Sequence, residues 1–217
     1  MIILKILLFI IEGSALFWNL LTYFGDSMLI FPTGITLALF MLWKASSPAT
    51  ALIWLITLGI SGLTISISKL LFLAWGIGSS TVNFTGFSGH TTMSATLWPV
   101  MFWLIGQRFR PKRNKLVIAV GYFIAAMVGI SRLALHVHSV SEVISGLILG
   151  SICSGIFLYT QRDREMRNFT FAPLVILLIL PLSLMGLGKK APTQQLIEHI
   201  STKITGKEPW TRAKLLE

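Results

Sequence analysis

Two polar islands interrupt an otherwise apolar chain, and both carry residues able to do chemistry. One runs Gly129-Ile130-Ser131-Arg132-Leu133-Ala134-Leu135-His136-Val137-His138-Ser139-Val140-Ser141-Glu142-Val143; the other contains Thr85-Gly86-Phe87-Ser88-Gly89-His90-Thr91-Thr92. Ionisable groups within or beside hydrocarbon cost several kcal/mol, so they need a reason. His138 and Glu142 are four apart. On one helix they share a face, the spacing of a histidine oriented by a carboxylate, which would set its tautomer and raise its basicity. His136 is the weaker candidate, an interfacial or supporting residue. Ser88 or a neighbouring threonine is predicted to cap a following helix, whose N–H groups favour an anion, and Gly89 permits close backbone approach. Arg132 needs an anionic partner if it points inward, either Glu142 or a bound phosphate. With Lys69 upstream, these groups offer positive charge, backbone donors and two candidate catalytic histidines. The chemistry they suit is that of a membrane enzyme acting on a phosphate ester.

The elements that must position them are membrane helices. The chain has 217 residues, 54% hydrophobic and 12% charged, against about 25% charged in soluble domains. Apolar runs at roughly 2–24, 27–43, 48–73, 91–107, 115–136, 139–160 and 169–187 make seven candidate spans of one all-α, polytopic bundle of six to seven transmembrane helices. The fourth contains Pro99, which its neighbours must accommodate. Lys5 and a short apolar stretch resemble a signal peptide, but Glu12 interrupts it and no clear cleavage pattern follows, so 2–24 is read as the first span.

The net charge of +10 sits in short loops. Lys5, Lys44, the run Arg108, Arg110, Lys112, Arg113, Lys115 and the group Arg162, Arg164, Arg167 all fall on one side if seven spans are right. The positive-inside rule makes that side cytoplasmic, so no nucleic-acid partner is implied. Both polar islands then meet at the opposite, outer face. Small residues at steps of three and four mark packing faces: Gly59, Gly62, Ser66 leading to Lys69; Gly121, Ala125, Gly129 leading to Arg132; and Gly146, Gly150, Ser154 following Glu142. Residues 1–188 form the expected bundle. Residues 189–217 form a polar tail in which Leu196, Ile197, Ile200 and Ile204 suggest a short amphipathic helix on the outer surface. The single cysteine, Cys153, is a packing residue. Four histidines (90, 136, 138, 199) form no compact metal-ligand pattern; neither a metal nor another cofactor is expected.

These motifs resemble the type 2 phosphatidic acid phosphatase family of integral membrane lipid phosphatases, whose signature is Lys-x6-Arg-Pro, Pro-Ser-Gly-His and Ser-Arg-x5-His-x3-Asp. Phe87-Ser88-Gly89-His90 matches the second part. Ser131-Arg132, His138 and Glu142 match the third in order and spacing, with glutamate for aspartate. Lys69 matches the first lysine, but Gly76-Ile77 stands where the family has Arg-Pro, and no arginine occurs between Lys44 and Arg108. A lost charge-assisted hydrogen bond to phosphate would cost about ten- to a hundredfold in rate if it strengthened in the transition state.

The resemblance implies a metal-independent hydrolase. His138 is its nucleophile, forming a phosphohistidine, and Glu142 orients the ring. His90 protonates the departing alkoxide. Lys69, Ser88, Gly89 and Arg132 hold the phosphoryl oxygens. It also implies a lipid phosphate or diphosphate substrate, taken from within the bilayer at the outer face of a bacterial-type inner membrane. Polyprenyl diphosphate, phosphatidic acid, phosphatidylglycerol phosphate and lipid A are the candidates. Two rival readings stand beside it: phosphoryl transfer between lipids, and a degenerate member that binds or transports a lipid phosphate.

Overall fold

The computed structural model describes residues 15–107, 111–162 and 193–217. Residues 15–22 are helical, and a 3-10 turn, Tyr23–Gly25, separates them from α1, Ser27–Lys44. The helix breaks at Asp26 because that residue is extended and its side chain accepts from the Met28 N–H at 2.8 Å, capping α1. This is the boundary expected between the first two spans. There follow α2 (Ala49–Trp75), α3 (Gly89–Gly106), α4 (Pro111–Ala134), α5 (Val140–Thr160), α6 (Thr193–Thr205) and α7 (Arg212–Leu216). Among the described residues every regular element is helical, apart from one isolated bridge between Ser79 and Phe84.

Four of these stretches are long and apolar enough to cross a membrane: Ala15–Lys44, Ala49–Trp75, Asn114–Ala134 and Val140–Thr160. The expected span 169–187, and most of 2–24, lie outside the described residues. The expected span 91–107 forms as α3 but is not among the four. Its composition explains both facts. It carries Thr91, Thr92, Ser94, Thr96 and Pro99, and every residue from Thr91 to Met101 is buried by protein. A helix wrapped by its neighbours need not be apolar all round. The helices around it show the reverse pattern: Ile144, Ile148, Ile152 and Ile156 of α5, each at least half exposed, make one lipid-facing stripe.

The opposite face of α5 packs on α3 as its small residues predicted. A methyl group at Gly150 would lie 2.3 Å from the Thr92 carbonyl oxygen, and one at Gly146 would lie 2.9 Å from Thr92 Oγ1. On α4, a methyl group at Gly121 would lie 2.7 Å from the Pro99 backbone, so that glycine accommodates the proline. Ser154 Oγ donates to the Ala95 carbonyl at 2.8 Å, a polar tie inside the bundle. The stripe on α2 behaves differently. Among the described residues nothing lies within 4 Å of a methyl group at Gly59 or Gly62, and Gly59 and Ser66 are exposed. The upper part of this stripe, Gly62 and Ser66, lines a cavity.

The bundle has two unlike ends. Trp54, Trp103 and Phe157 stack edge to face at one, with ring centroids 5.6 and 5.7 Å apart. Thr50 donates to Gln161 there at 2.8 Å, joining the start of α2 to the end of α5. Lys44, Lys115 and Arg162 belong to that end by chain direction. At the other end the turns 23–26, 76–88 and 135–139 converge, and segment 193–217 packs beside them.

Candidate active site

The turn between α4 and α5 places the first histidine pair. Helix α4 closes with the Val137 N–H on the Arg132 carbonyl at 3.2 Å and the His136 N–H on the Leu133 carbonyl at 2.9 Å. This is a Schellman closure, and it sets His136 at φ 53, a left-handed position that glycine usually fills. His136 is exposed and does not line the cavity. The reversal carries His138 back over the site. His138 therefore precedes the helix, and the shared helical face that the spacing suggested is not how it meets Glu142. Ser139 is the N-cap of α5, and Ser139 and Glu142 form a capping box: Ser139 Oγ accepts from the Glu142 N–H, and Glu142 Oε2 accepts from the Ser139 N–H at 3.1 Å. The same Oε2 lies 2.7 Å from His138 Nδ1. Reaching back to its own N-cap and onward to His138 needs the longer arm of glutamate.

Glu142 is fully buried. Besides Ser139 and His138 it accepts from the Thr85 N–H at 2.8 Å and the Thr85 hydroxyl at 2.5 Å. Arg212 Nη2 lies 2.8 Å from Oε1 and 2.7 Å from Oε2. A carboxylate so surrounded by donors is ionised and acceptor-only, so His138 Nδ1 carries the proton and Nε2 is left as the basic atom. Burial holds the His138 imidazole below its ordinary range. The hydrogen bond and charge of Glu142 oppose that shift, and the charges of Lys69 and Arg132 add to it. The expected rise in basicity is thus reversed: desolvation outweighs the carboxylate.

The second island opens α3. Ser88 is its N-cap by position but makes no side-chain cap. Its hydroxyl is buried against Thr91 Oγ1 at 2.8 Å, so the cavity meets Gly89 and His90 and not the Ser88 side chain. His90 Nε2 lies 3.7 Å from Asp26 Oδ2. Arg132 points inward as its helix face required, yet its partner is not Glu142. Its Nη1 donates to Thr22 Oγ1 at 2.8 Å, and its Nε is buried with no hydrogen-bond partner among the described residues. Lys69 Nζ donates to Gln194 Oε1 at 3.0 Å.

Lys69, Gly89, His90, Arg132, His138 and Arg212 line one cavity of about 590 Å³, with Glu142 and Ser88 behind its wall. Sequence reasoning missed Asp26, Thr85, Gln194 and Arg212. The capping-box pattern Ser139-x-x-Glu142 was a readable signal for part of this cluster; nothing local marked Arg212. Among the described residues no three of His, Cys, Asp and Glu cluster closely enough to hold a metal ion.

A polytopic helical bundle with a cationic, two-histidine cavity at one end of its spans defines a class, that of membrane proteins built to handle phosphate. The sequence profile of the PAP2 superfamily matches residues 50–167. The chain belongs to the PAP2 superfamily. It is 39% identical over 202 residues to the 22.5 kDa protein of the cps region of Klebsiella pneumoniae, itself uncharacterized, covering 91% of this chain and 97% of that one. It is 34% identical over 84 residues to phosphatidylglycerophosphatase B of Bacillus subtilis (strain 168), covering 38% of this chain and 40% of that one. The crystal structure of a transmembrane PAP2-type phosphatidylglycerolphosphate phosphatase from Bacillus subtilis shares the fold. Its TM-score is 0.56 at 24% identity, covering 70% of this chain and 78% of that one.

Proposed function

We propose that this membrane protein of PAP2 phosphatase type hydrolyses a lipid phosphate or diphosphate through a phosphohistidine on His138. The observation that carries the reading is the His138–Glu142 contact at 2.7 Å, which leaves Nε2 as the basic ring atom of a residue lining a cationic cavity. The Nε2 lone pair attacks phosphorus, and the bond from phosphorus to the lipid alcohol oxygen breaks. His90 gives its proton to that oxygen. The ring becomes cationic when phosphorylated, and ionised Glu142 on Nδ1–H stabilises it where it forms. Water then attacks phosphorus, His90 takes its proton, the P–N bond breaks and phosphate leaves. Lys69, Arg132 and the first-turn N–H groups of α3 hold the phosphoryl oxygens.

A lipid substrate fits the place of the cavity at the ends of apolar helices, where a head group meets the charged residues while its chains stay in hydrocarbon. The polyprenyl, phosphatidate, phosphatidylglycerol and lipid A phosphates form the test panel. The positive loops expected at the far end support a cavity on the outer face. Ser80→Cys in a Cys153→Ala background should label from outside intact cells; labelling only from the cytoplasm reverses the orientation.

The deciding experiment is phosphate release by purified protein from that panel, with EDTA present, comparing wild type, His138→Ala and His136→Ala. Release lost in His138→Ala alone supports metal-independent catalysis through that residue. Release that needs an added acceptor lipid moves the reading to phosphoryl transfer, and none under either condition moves it to a binder.

A further inference from the structure

Position 76, where the resemblance called for an arginine, is occupied in a different sense. Gly76 ends α2 at φ 70, and a methyl group there would lie 2.8 Å from Cδ2 of the Trp210 indole. The Trp210 N–H donates to the Leu73 carbonyl at 2.8 Å. A second contact lies close by: a methyl group at Gly78 would sit 3.3 Å from Leu215 Cδ2. Any side chain at 76 would be strained by its backbone conformation and would collide with the indole. An arginine at 76 and a docked Trp210 exclude one another.

What the docking delivers is a guanidinium. Two residues past Trp210, Arg212 reaches Glu142 and lines the cavity with Lys69, Arg132 and both histidines. All its hydrogen bonds to described residues, including that to Thr85 Oγ1 at 3.3 Å, leave from Nη2. Nη1 and Nε make none among the described residues, and the side chain stays about one-third exposed, at 35%. Arg132, whose Nη1 donates to Thr22 Oγ1, lines the same cavity. Two guanidinium groups around one cavity, one of them with nitrogens making no hydrogen bond among the described residues, suit a phosphate, which accepts on three oxygens.

We propose that Arg212 is a phosphate-binding residue of this site, and that segment 193–217 supplies from a distance the guanidinium that residue 76 cannot carry. Through Nη2 the same group braces Glu142 behind the nucleophile; through its remaining donors it holds a phosphoryl oxygen. The inference rests on the phosphate-site reading above, and it removes the main ground for regarding the chain as a degenerate binder.

The test uses the full chain in detergent with orthovanadate as the probe, measured by calorimetry, beside lipid phosphate hydrolysis. Arg212→Ala should weaken orthovanadate binding and lower kcat/KM by about ten- to a hundredfold. Arg212→Lys should recover only part of this, since an ammonium has no planar fork. Trp210→Ala should reproduce the defect although Trp210 does not line the cavity, because it undocks the segment. Millimolar guanidinium should restore Arg212→Ala, which separates a missing group from a damaged fold. Unchanged orthovanadate affinity in Arg212→Ala overturns the proposal, even if kcat falls, because that pattern leaves Arg212 only a brace for Glu142. Wild type that binds orthovanadate but hydrolyses nothing defeats the hydrolase reading while the affinity series still judges Arg212. Wild type that does not bind it overturns both.

Discussion

On the His138 side of the cavity a buried carboxylate accepts from Thr85, His138, Ser139 and Arg212, with every distance at or below 3.1 Å. On the His90 side the contact to Asp26 is 3.7 Å, and among the described residues Arg132 keeps a buried nitrogen without a hydrogen-bond partner. Among the described residues the first arrangement is the more complete. A nucleophile gains from an orientation set in advance, because no reorganisation is then needed during reaction. An acid that must give up a proton and later recover one gains from looser contacts and nearer water. The contrast fits the different duties proposed for the two histidines.

The largest effects should come from the more complete side. His138→Ala should lower lipid phosphate hydrolysis at least about 10³-fold, since the covalent route itself is lost. Trapping of ³²P on the wild type but not on this variant is the corresponding check. Glu142→Gln keeps the volume but removes the charge that favours Nδ1–H, and it should cost roughly 10²- to 10⁴-fold in kcat.

His90→Ala should fall in the same broad range, roughly 10²- to 10⁴-fold, on lipid substrates. It should fall much less on p-nitrophenyl phosphate, whose leaving group needs no proton. If Glu142→Gln shrinks by the same factor on that substrate, the division of labour between the two histidines is wrong.

A smaller effect concerns pH. A protonated His138 cannot attack, and burial keeps its folded-state value below the ordinary 6.5. The acid limb of log kcat/KM against pH assigned to His138 should therefore lie below pH 6.5, with its activity retained as pH falls through that value. A limb lying above it would show the Glu142 contact outweighing desolvation. The smallest effect is expected at His136. Replacing it with glycine relieves the φ 53 conformation, so His136→Gly should leave hydrolysis within about twofold and raise thermal stability by ~1 kcal/mol.

Some features of the cavity were legible in local spacing. Lys69, Gly89, His90, Arg132 and His138 were singled out by residue type within apolar runs, and all line one space. The stripes on α4 and α5 pack on α3 as read, because glycine at steps of four leaves nothing else to fill that face. On α2 no described residue approaches Gly59 or Gly62, and the expected span 169–187 lies outside the described residues. Ser88 departed from expectation: its type suits a cap, but Thr91, three residues on, offered its hydroxyl a buried partner instead.

By itself the sequence determined the membrane class, the helical bundle, and which two short stretches hold both histidines of the site, with Arg132 and Glu142. Those follow from hydropathy and from spacings of a few residues, which survive in any fold that keeps the helices. Tertiary structure decided how the charges are paired. Glu142 meets Thr85 across 57 residues and Arg212 across 70, and Arg132 meets Thr22 across 110. No periodicity encodes such partners: they arise when turns at one end of the bundle converge and a buried carboxylate must find donors wherever the chain brings them.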